Sequence, residues 1–185
     1  TFCAVDYIGY KSIFLDAERL KHSLTQMGRY GVKSVMYAGE GEPLLHKEMA
    51  SIVQHAKKSG LDNAFTTNGV HLTSKFLDEC GEAISWIKVS FNGGNRSTYS
   101  KVHQTQERDF DKVINNLKHA VEWKKNNSPN LVIGAQSLLL PENADSMNDL
   151  VLLAKDLGLD YVVIKPYSQH KFSNTNIYKD IDYAP

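Results

Sequence analysis

Two cysteines in 185 residues, Cys3 and Cys80, are too few for a disulfide framework and suit a reducing, cytoplasmic setting. Charge of neither sign prevails: 21 Lys and Arg balance 21 Asp and Glu, giving a formal net charge of +0. No bulk field therefore draws in a polyanion, and nucleic acid is not an expected partner. Basic pairs such as Lys57-Lys58 and Lys124-Lys125 read as solvated helix faces. No apolar run nears the roughly 20 residues that cross a bilayer; the longest, Leu150 to Leu153 and Val162 to Ile164, are core-sized. Histidines are scattered, and neither an Asp-His-Ser set nor a metal-binding His cluster is evident. The chain opens on Thr1 without a charged-then-apolar leader, so a fragment or a processed start is expected. What remains, 42% hydrophobic and 23% charged residues, describes one globular domain with a sizeable core.

Helix-like and strand-like segments alternate along that domain. Asp16 can cap a helix whose Leu20, Leu24 and Met27 share a face. Lys33 to Tyr37 reads as a strand, and Met49, Ile52, Val53 and Ala56 recur at helical spacing up to Gly60. A strand over 63–67 closes on Asn68-Gly69, a turn pair. A short helix over 74–80, a strand over 86–91 and the loop Asn92-Gly93-Gly94 follow. Phe110, Val113, Ile114, Leu117, Ala120 and Val121 make the clearest amphipathic helix. A long strand over 131–140, a helical stripe from Met147 to Leu157 and a strand over 161–165 complete the series. Five strands, each entered from a helix, predict parallel pairing with right-handed crossovers. The strands lack strict alternation, as expected if both faces are covered. A partial barrel and an open doubly wound sheet both fit, and a complete eight-fold barrel of about 250 residues does not. The tail over 171–185 is polar and aromatic with no clear period.

The loops just past the strands are where ligands bind in such folds. There the chain places Gly39, Gly41 and Glu42, then Thr67, Asn68 and Gly69, then Ser90, Asn92 and Gly93. Gln136 and Ser137 interrupt an apolar strand, and Lys165, Pro166, Tyr167 and His170 end the series. Small hydrogen-bonding groups with glycines on one rim describe a site for a polar small molecule. The same residues read singly are satisfied polar groups of a core or solvated loop acids.

Gly41-Glu42-Pro43, Thr67-Asn68-Gly69 and Lys88-Val89-Ser90-Phe91-Asn92-Gly93, each after a strand and in that order, resemble the radical S-adenosylmethionine (SAM) superfamily. The likeness runs from Phe2 to about Tyr167. It implies an α/β fold of the partial (β/α)6 TIM-barrel type with parallel strands, spanning residues 1–170, whose first strand lies upstream of Thr1. Residues 171–185 then form a tail toward a further extension. Phe2-Cys3 matches the end of the family's C-x-x-x-C-x-aromatic-C motif, so Cys3 is implied as one thiolate ligand of a [4Fe–4S] cluster. Glu42, in the turn formed with Gly39, Gly41 and Pro43, is implied to take the amino group of SAM through a charge-assisted hydrogen bond. Thr67 and Asn68 resemble groups near the methionine carboxylate, Ser90 and Asn92 groups near the ribose. Gln136 and the backbone at Tyr167 are implied near ribose and adenine. Glu40 stands where the family often has glycine, and Asn92 where it often has aspartate. Cys80 matches no motif position and reads as a buried thiol.

The resemblance further implies an enzyme in which one electron from the cluster cleaves SAM to a 5′-deoxyadenosyl radical that takes hydrogen from a substrate. That substrate is a small molecule or a peptide, and the electron comes from a reductant such as flavodoxin or ferredoxin. No acid, base or nucleophile is assigned a catalytic role. His170 is a candidate substrate contact. Two other readings stay open: a cluster-less relative that binds a nucleotide-like ligand, and a metal-free barrel of the aldolase kind using Lys165 as Schiff-base former.

Overall fold

The apolar stripes and β-branched runs settle into alternating elements in a computed structural model that describes residues 6–183. The helices are α1 (Ala17–Arg29), α2 (Met49–Lys58), α3 (Ser74–Cys80), α4 (Arg96–His103), α5 (Glu107–Asn127) and α6 (Met147–Leu157). The strands are β1 (Ser34–Tyr37), β2 (Asp62–Thr67), β3 (Ile84–Ser90), β4 (Val132–Leu139) and β5 (Tyr161–Pro166). Asp16 caps α1 as expected, its carboxylate accepting the Arg19 amide at 2.9 Å. Met27, expected on the apolar face of α1, is instead exposed, whereas Leu24 is fully buried. No helix among the described residues is long and apolar enough to cross a membrane.

All strand pairs are parallel, and the sheet order is β1-β2-β3-β4-β5. That order selects between the two architectures the sequence left open. A doubly wound sheet reverses its strand order at a switch point. Here the order never reverses, so every right-handed crossover puts its helix on the same side. Tyr37, Phe65, Ile87 and Ile133 form one paired row facing the helices, and all four are buried. The residues between them point the other way. The fold is therefore the single-layered wall of a partial TIM-type barrel.

The expectation that both sheet faces are covered is corrected by this arrangement. Helices cover the outer face alone, and the inner face carries Met36, Thr66, Trp86, Lys88, Gln136 and Lys165, none of them buried. Gln136, like Thr66, Lys88 and Lys165, belongs to this uncovered side.

One helix escaped the sequence pattern. In α4 only Tyr99 and Val102 are buried, too few to write a stripe. Its signal was Asn95, whose side chain caps the helix by accepting the Thr98 amide at 3.0 Å. Beyond β5 the chain has no further helix or strand among the described residues, yet it folds back. Tyr167 and Tyr178 join Val102 and Leu140 in a second small core. The Tyr183 hydroxyl accepts the Tyr167 amide at 2.9 Å and donates to the Leu139 carbonyl at 2.6 Å. Asp6 holds the same segment from the other end of the chain, accepting from Ser173 Oγ (2.9 Å) and from the amides of Asn174 (2.9 Å) and Thr175 (2.8 Å). Hydrogen bonds from Thr175, Asn174 and Ser173 keep its carboxyl down to about 2.

Candidate functional site

The rim past β1 and β2 is built around one carboxylate. After Tyr37, which stacks on Phe65 at 4.9 Å, the chain turns through Gly39 at φ +128°, a conformation that side-chain-bearing residues rarely adopt. Glu42 then caps the short 3-10 turn Pro43–Leu45. Its Oε1 accepts from the Thr67 hydroxyl at 2.6 Å and the Leu44 amide at 3.1 Å, and its Oε2 accepts from the Asn68 amide at 2.7 Å. Thr67 in turn accepts the Gly69 amide at 3.0 Å, and Asn68 Oδ1 accepts the Val70 amide at 2.9 Å. Glu42, Leu44, Thr67 and Asn68 are thus one hydrogen-bonded assembly across two strand ends, with Gly39, Gly41 and Pro43 in the turn that carries Glu42. A sequence motif shows that these residues recur after strands. It does not show that Glu42 staples the two turns together.

This assembly borders a cavity of about 720 Å³ between the β1 rim and the segment over 8–15. Tyr10, Phe14, Gly41, Glu42 and His46 are among its walls. His46 anchors the far wall, its Nε2 lying 2.8 Å from the Leu15 carbonyl while Phe14 meets the ring edge-on at 5.8 Å. A carboxylate has about four lone-pair positions. The chain's own donors take three of those on Glu42, which leaves acceptor capacity beside the cavity.

A second cavity of about 380 Å³ opens on the inner sheet face over β3, β4 and β5. Ser90 pairs in register with Gln136, and Gln136 with Val163. Gln136 Oε1 is buried there without a hydrogen-bond partner. An orphaned buried acceptor is uncommon and invites a donor from a bound molecule. Ser137, its neighbour, points to the helix side, is fully buried and donates to the Leu138 carbonyl at 3.2 Å.

Asn92 stands apart from the cavities. It is 2% exposed, its Oδ1 accepts the Leu138 amide at 2.7 Å, and its carbonyl accepts from Asn143 Nδ2 at 3.2 Å. Its own amide donates to His103 Nε2 at 3.1 Å, so that nitrogen carries no proton. Burial pushes the His103 pKa down to about 4, in keeping with a neutral ring. Tyr167 is likewise buried, its amide held by Tyr183 and its hydroxyl donating to Gln169 at 3.2 Å. Asn92 and Tyr167 serve the fold in this structure.

The remaining candidates divide. Cys3 lies outside the described residues, and among those described no group of His, Cys, Asp and Glu is placed to hold a metal ion. Cys80 is buried, donates to the Phe76 carbonyl at 3.3 Å, and burial pushes its thiol up to about 12. His170 stacks on Tyr7 at 5.1 Å and accepts the Phe172 amide at 3.2 Å. Lys165 is exposed on the inner face, whereas Schiff-base formation calls for a desolvated lysine. The half-buried lysine there is Lys88, whose pKa is lowered by burial and then by the charge of Lys165. Its place on the inner face follows from alternation with Trp86 and Ser90 along β3 once the sheet order fixes which side the helices cover.

Residues 1–154 match the family model described as the Radical SAM superfamily. The chain is 28% identical over 141 residues to a probable GTP 3',8-cyclase of Methanocaldococcus jannaschii, covering 74% of this chain and 44% of that protein. It is 24% identical over 147 residues to a PqqA peptide cyclase of Bradyrhizobium diazoefficiens, covering 79% of this chain and 37% of that one. The chain thus spans less than half the length of either relative. Among solved structures, Streptococcus suis SuiB bound to S-adenosylmethionine superposes with a TM-score of 0.72 at 16% identity, over 94% of this chain and 38% of that one.

Proposed function

The chain belongs to the radical SAM superfamily, enzymes whose cofactors are a [4Fe–4S] cluster and SAM, and from that premise we propose that it forms the core of an enzyme which abstracts hydrogen from a small-molecule or peptide substrate. The two relatives described above are named for GTP and for the PqqA peptide, and both substrate classes are carried by this reading. When bound, the cluster and SAM supply the 5′-deoxyadenosyl radical.

The chain's own residues bind and orient. Glu42 is the observation that carries the assignment: a carboxylate at the strand ends, bordering the larger cavity, with acceptor capacity left for an ammonium. The groups of this rim fit SAM. Gly39 and Gly41 leave room for close approach, and Pro43 fixes the turn that aims Glu42. Thr67 and Asn68, held by Glu42 itself, border the position of the methionine carboxylate. Ser90 and the unpartnered Gln136 oxygen fit the ribose and adenine, whose hydroxyl and amino groups donate hydrogen bonds. Asn92 and the Tyr167 backbone support that region from within the fold. Cys3 supplies one thiolate, with two companions upstream, and a one-electron reductant such as flavodoxin or ferredoxin docks near it.

The test uses the full-length protein purified under strict anaerobiosis. Glu42→Gln keeps one acceptor oxygen and removes the charge, so SAM should bind about tenfold more weakly or worse. Unchanged SAM affinity would remove Glu42 from the site. Cys3→Ala should abolish the iron–sulfur chromophore; a colourless wild-type protein that still binds SAM would favour the cluster-less binding module instead.

A further inference from the structure

Lysines whose side chains are well covered in this molecule carry carboxylate partners. Lys21 holds Glu18 at 2.9 Å, and Lys124 holds Asp160 with Nζ–O contacts of 2.5 and 2.6 Å. Lys88 breaks that pattern. It is half-buried on the inner sheet face, its ammonium lies 5.7 Å from the Trp86 ring, and it enters no ion pair among the described residues. Lys165 lines the same cavity from β5 and is also without an ion pair there. Among the described residues no acidic side chain lines that cavity.

The register explains how two strands come to share one space. Lys88 pairs with Gly134 on β4, which offers no side chain, and Gly134 pairs with Tyr161 on β5. A Cβ on Gly134 would meet the Tyr161 ring at 2.4 Å, so the ring lies flat across the glycine and leaves the space above the sheet open. Lys165 sits further along β5, level with Leu138. The floor between the lysines is therefore glycine and aromatic ring, and Gln136 lines the same cavity.

We propose that Lys88 and Lys165 form a subsite for the phosphate group of the substrate. This rests on the radical SAM reading of the site and names the class of molecule that fills the rest of it. Two unmatched positive charges call for a dianion. A phosphate monoester carries about −1.5 to −2 near neutral pH, where a single carboxylate carries one charge. Lysine ammonium groups suit phosphate as mobile point charges. SAM is a poor occupant, since its sulfonium and ammonium outweigh its one carboxylate. Burial and mutual repulsion both favour loss of the Lys88 proton, and a bound dianion would reverse both effects.

The test is a set of calorimetric titrations on the full-length, anaerobically reconstituted protein with inorganic pyrophosphate, acetate and SAM. Wild type should bind pyrophosphate at least about tenfold more tightly than acetate, which carries a single charge. Lys88→Gln and Lys165→Gln should each weaken pyrophosphate about tenfold while SAM affinity changes by less than about twofold. Pyrophosphate binding indifferent to both substitutions, or acetate bound as tightly, overturns the subsite. SAM weakening in step with pyrophosphate also overturns it and gives the lysines to the SAM carboxylate. If wild type fails to bind SAM at all, the underlying reading of the site fails, whatever pyrophosphate does.

Discussion

Glu42 and Asn92 perform the same mechanical task at two ends of the rim. Each follows a strand, and each reaches sideways to accept a backbone amide beside the next strand's end: Asn68 from Glu42, Leu138 from Asn92. They differ in charge and in surroundings. Glu42 is half-buried beside the larger cavity, while Asn92 is sealed beneath α4 with His103 and Asn143 around it. A buried carboxylate at Asn92 would pay a desolvation penalty that a neutral amide avoids. At Glu42 the open side relieves that penalty and leaves a charge available to a ligand. One structural device thus becomes a binding group only where it keeps contact with the cavity.

Mutations can break this contrast. The largest effect is expected at the sealed position. Asn92→Ala orphans the Leu138 amide and removes the amide near His103, with a loss of about 3 kcal/mol in urea unfolding. Glu42→Ala costing as much would show that the two positions are equally structural.

His103 sharpens the comparison through pH. Its pKa falls from 6.5 to about 4 in the folded state. The unfolded chain therefore binds the extra proton first, and stability is lost as pH drops from 6.5 toward 4, while it is flat above that window. The loss reaches about 3 kcal/mol. Asp6 lies outside this range: its depressed carboxyl contributes above 3.8, and that contribution disappears as pH falls toward about 2. Urea midpoints measured from pH 7 to pH 4.5 should slope in wild type and flatten in His103→Gln.

At the open position the expected change is smaller. Glu42→Ala removes three accepted hydrogen bonds at a half-exposed site, for about 1–2 kcal/mol of stability. The loss of SAM affinity should persist at urea concentrations where the variant is fully folded. Smallest of all is Gly134→Ala. The added methyl collides with the Tyr161 ring, but the inner face gives the ring space to swing, so the cost stays under about 1 kcal/mol. A loss above about 3 kcal/mol would mean that the inner face is less free than its exposure implies.

The sequence held much of this wall in view. Apolar spacing marked α2, α5 and α6, and the glycine-rich strand ends marked the rim on which Glu42, Thr67 and Asn68 meet. It could not show which polar residues at those ends remain open. Asn92 is closed by His103 and Asn143, groups 11 and 51 residues away in the chain, and no local pattern links them. Lys88 was hidden for another reason. Alternation along β3 sets it opposite Ile87 and Val89, but which side faces helices depends on strand order, a property of the whole sheet. Helix α4 wrote only two apolar positions and was visible solely through its cap.

The unbroken strand order has a consequence for how the molecule comes into being. Every ladder joins two segments that succeed one another along the chain, so each ring closure spans only the helices and turns between consecutive strands, at most α4 and α5 together. A polypeptide leaving the ribosome amino end first would find, for each newly emerged strand after the first, a docking edge already waiting. Growth of this wall can proceed like masonry, course upon course, with no need to hold an early piece idle until a late one arrives.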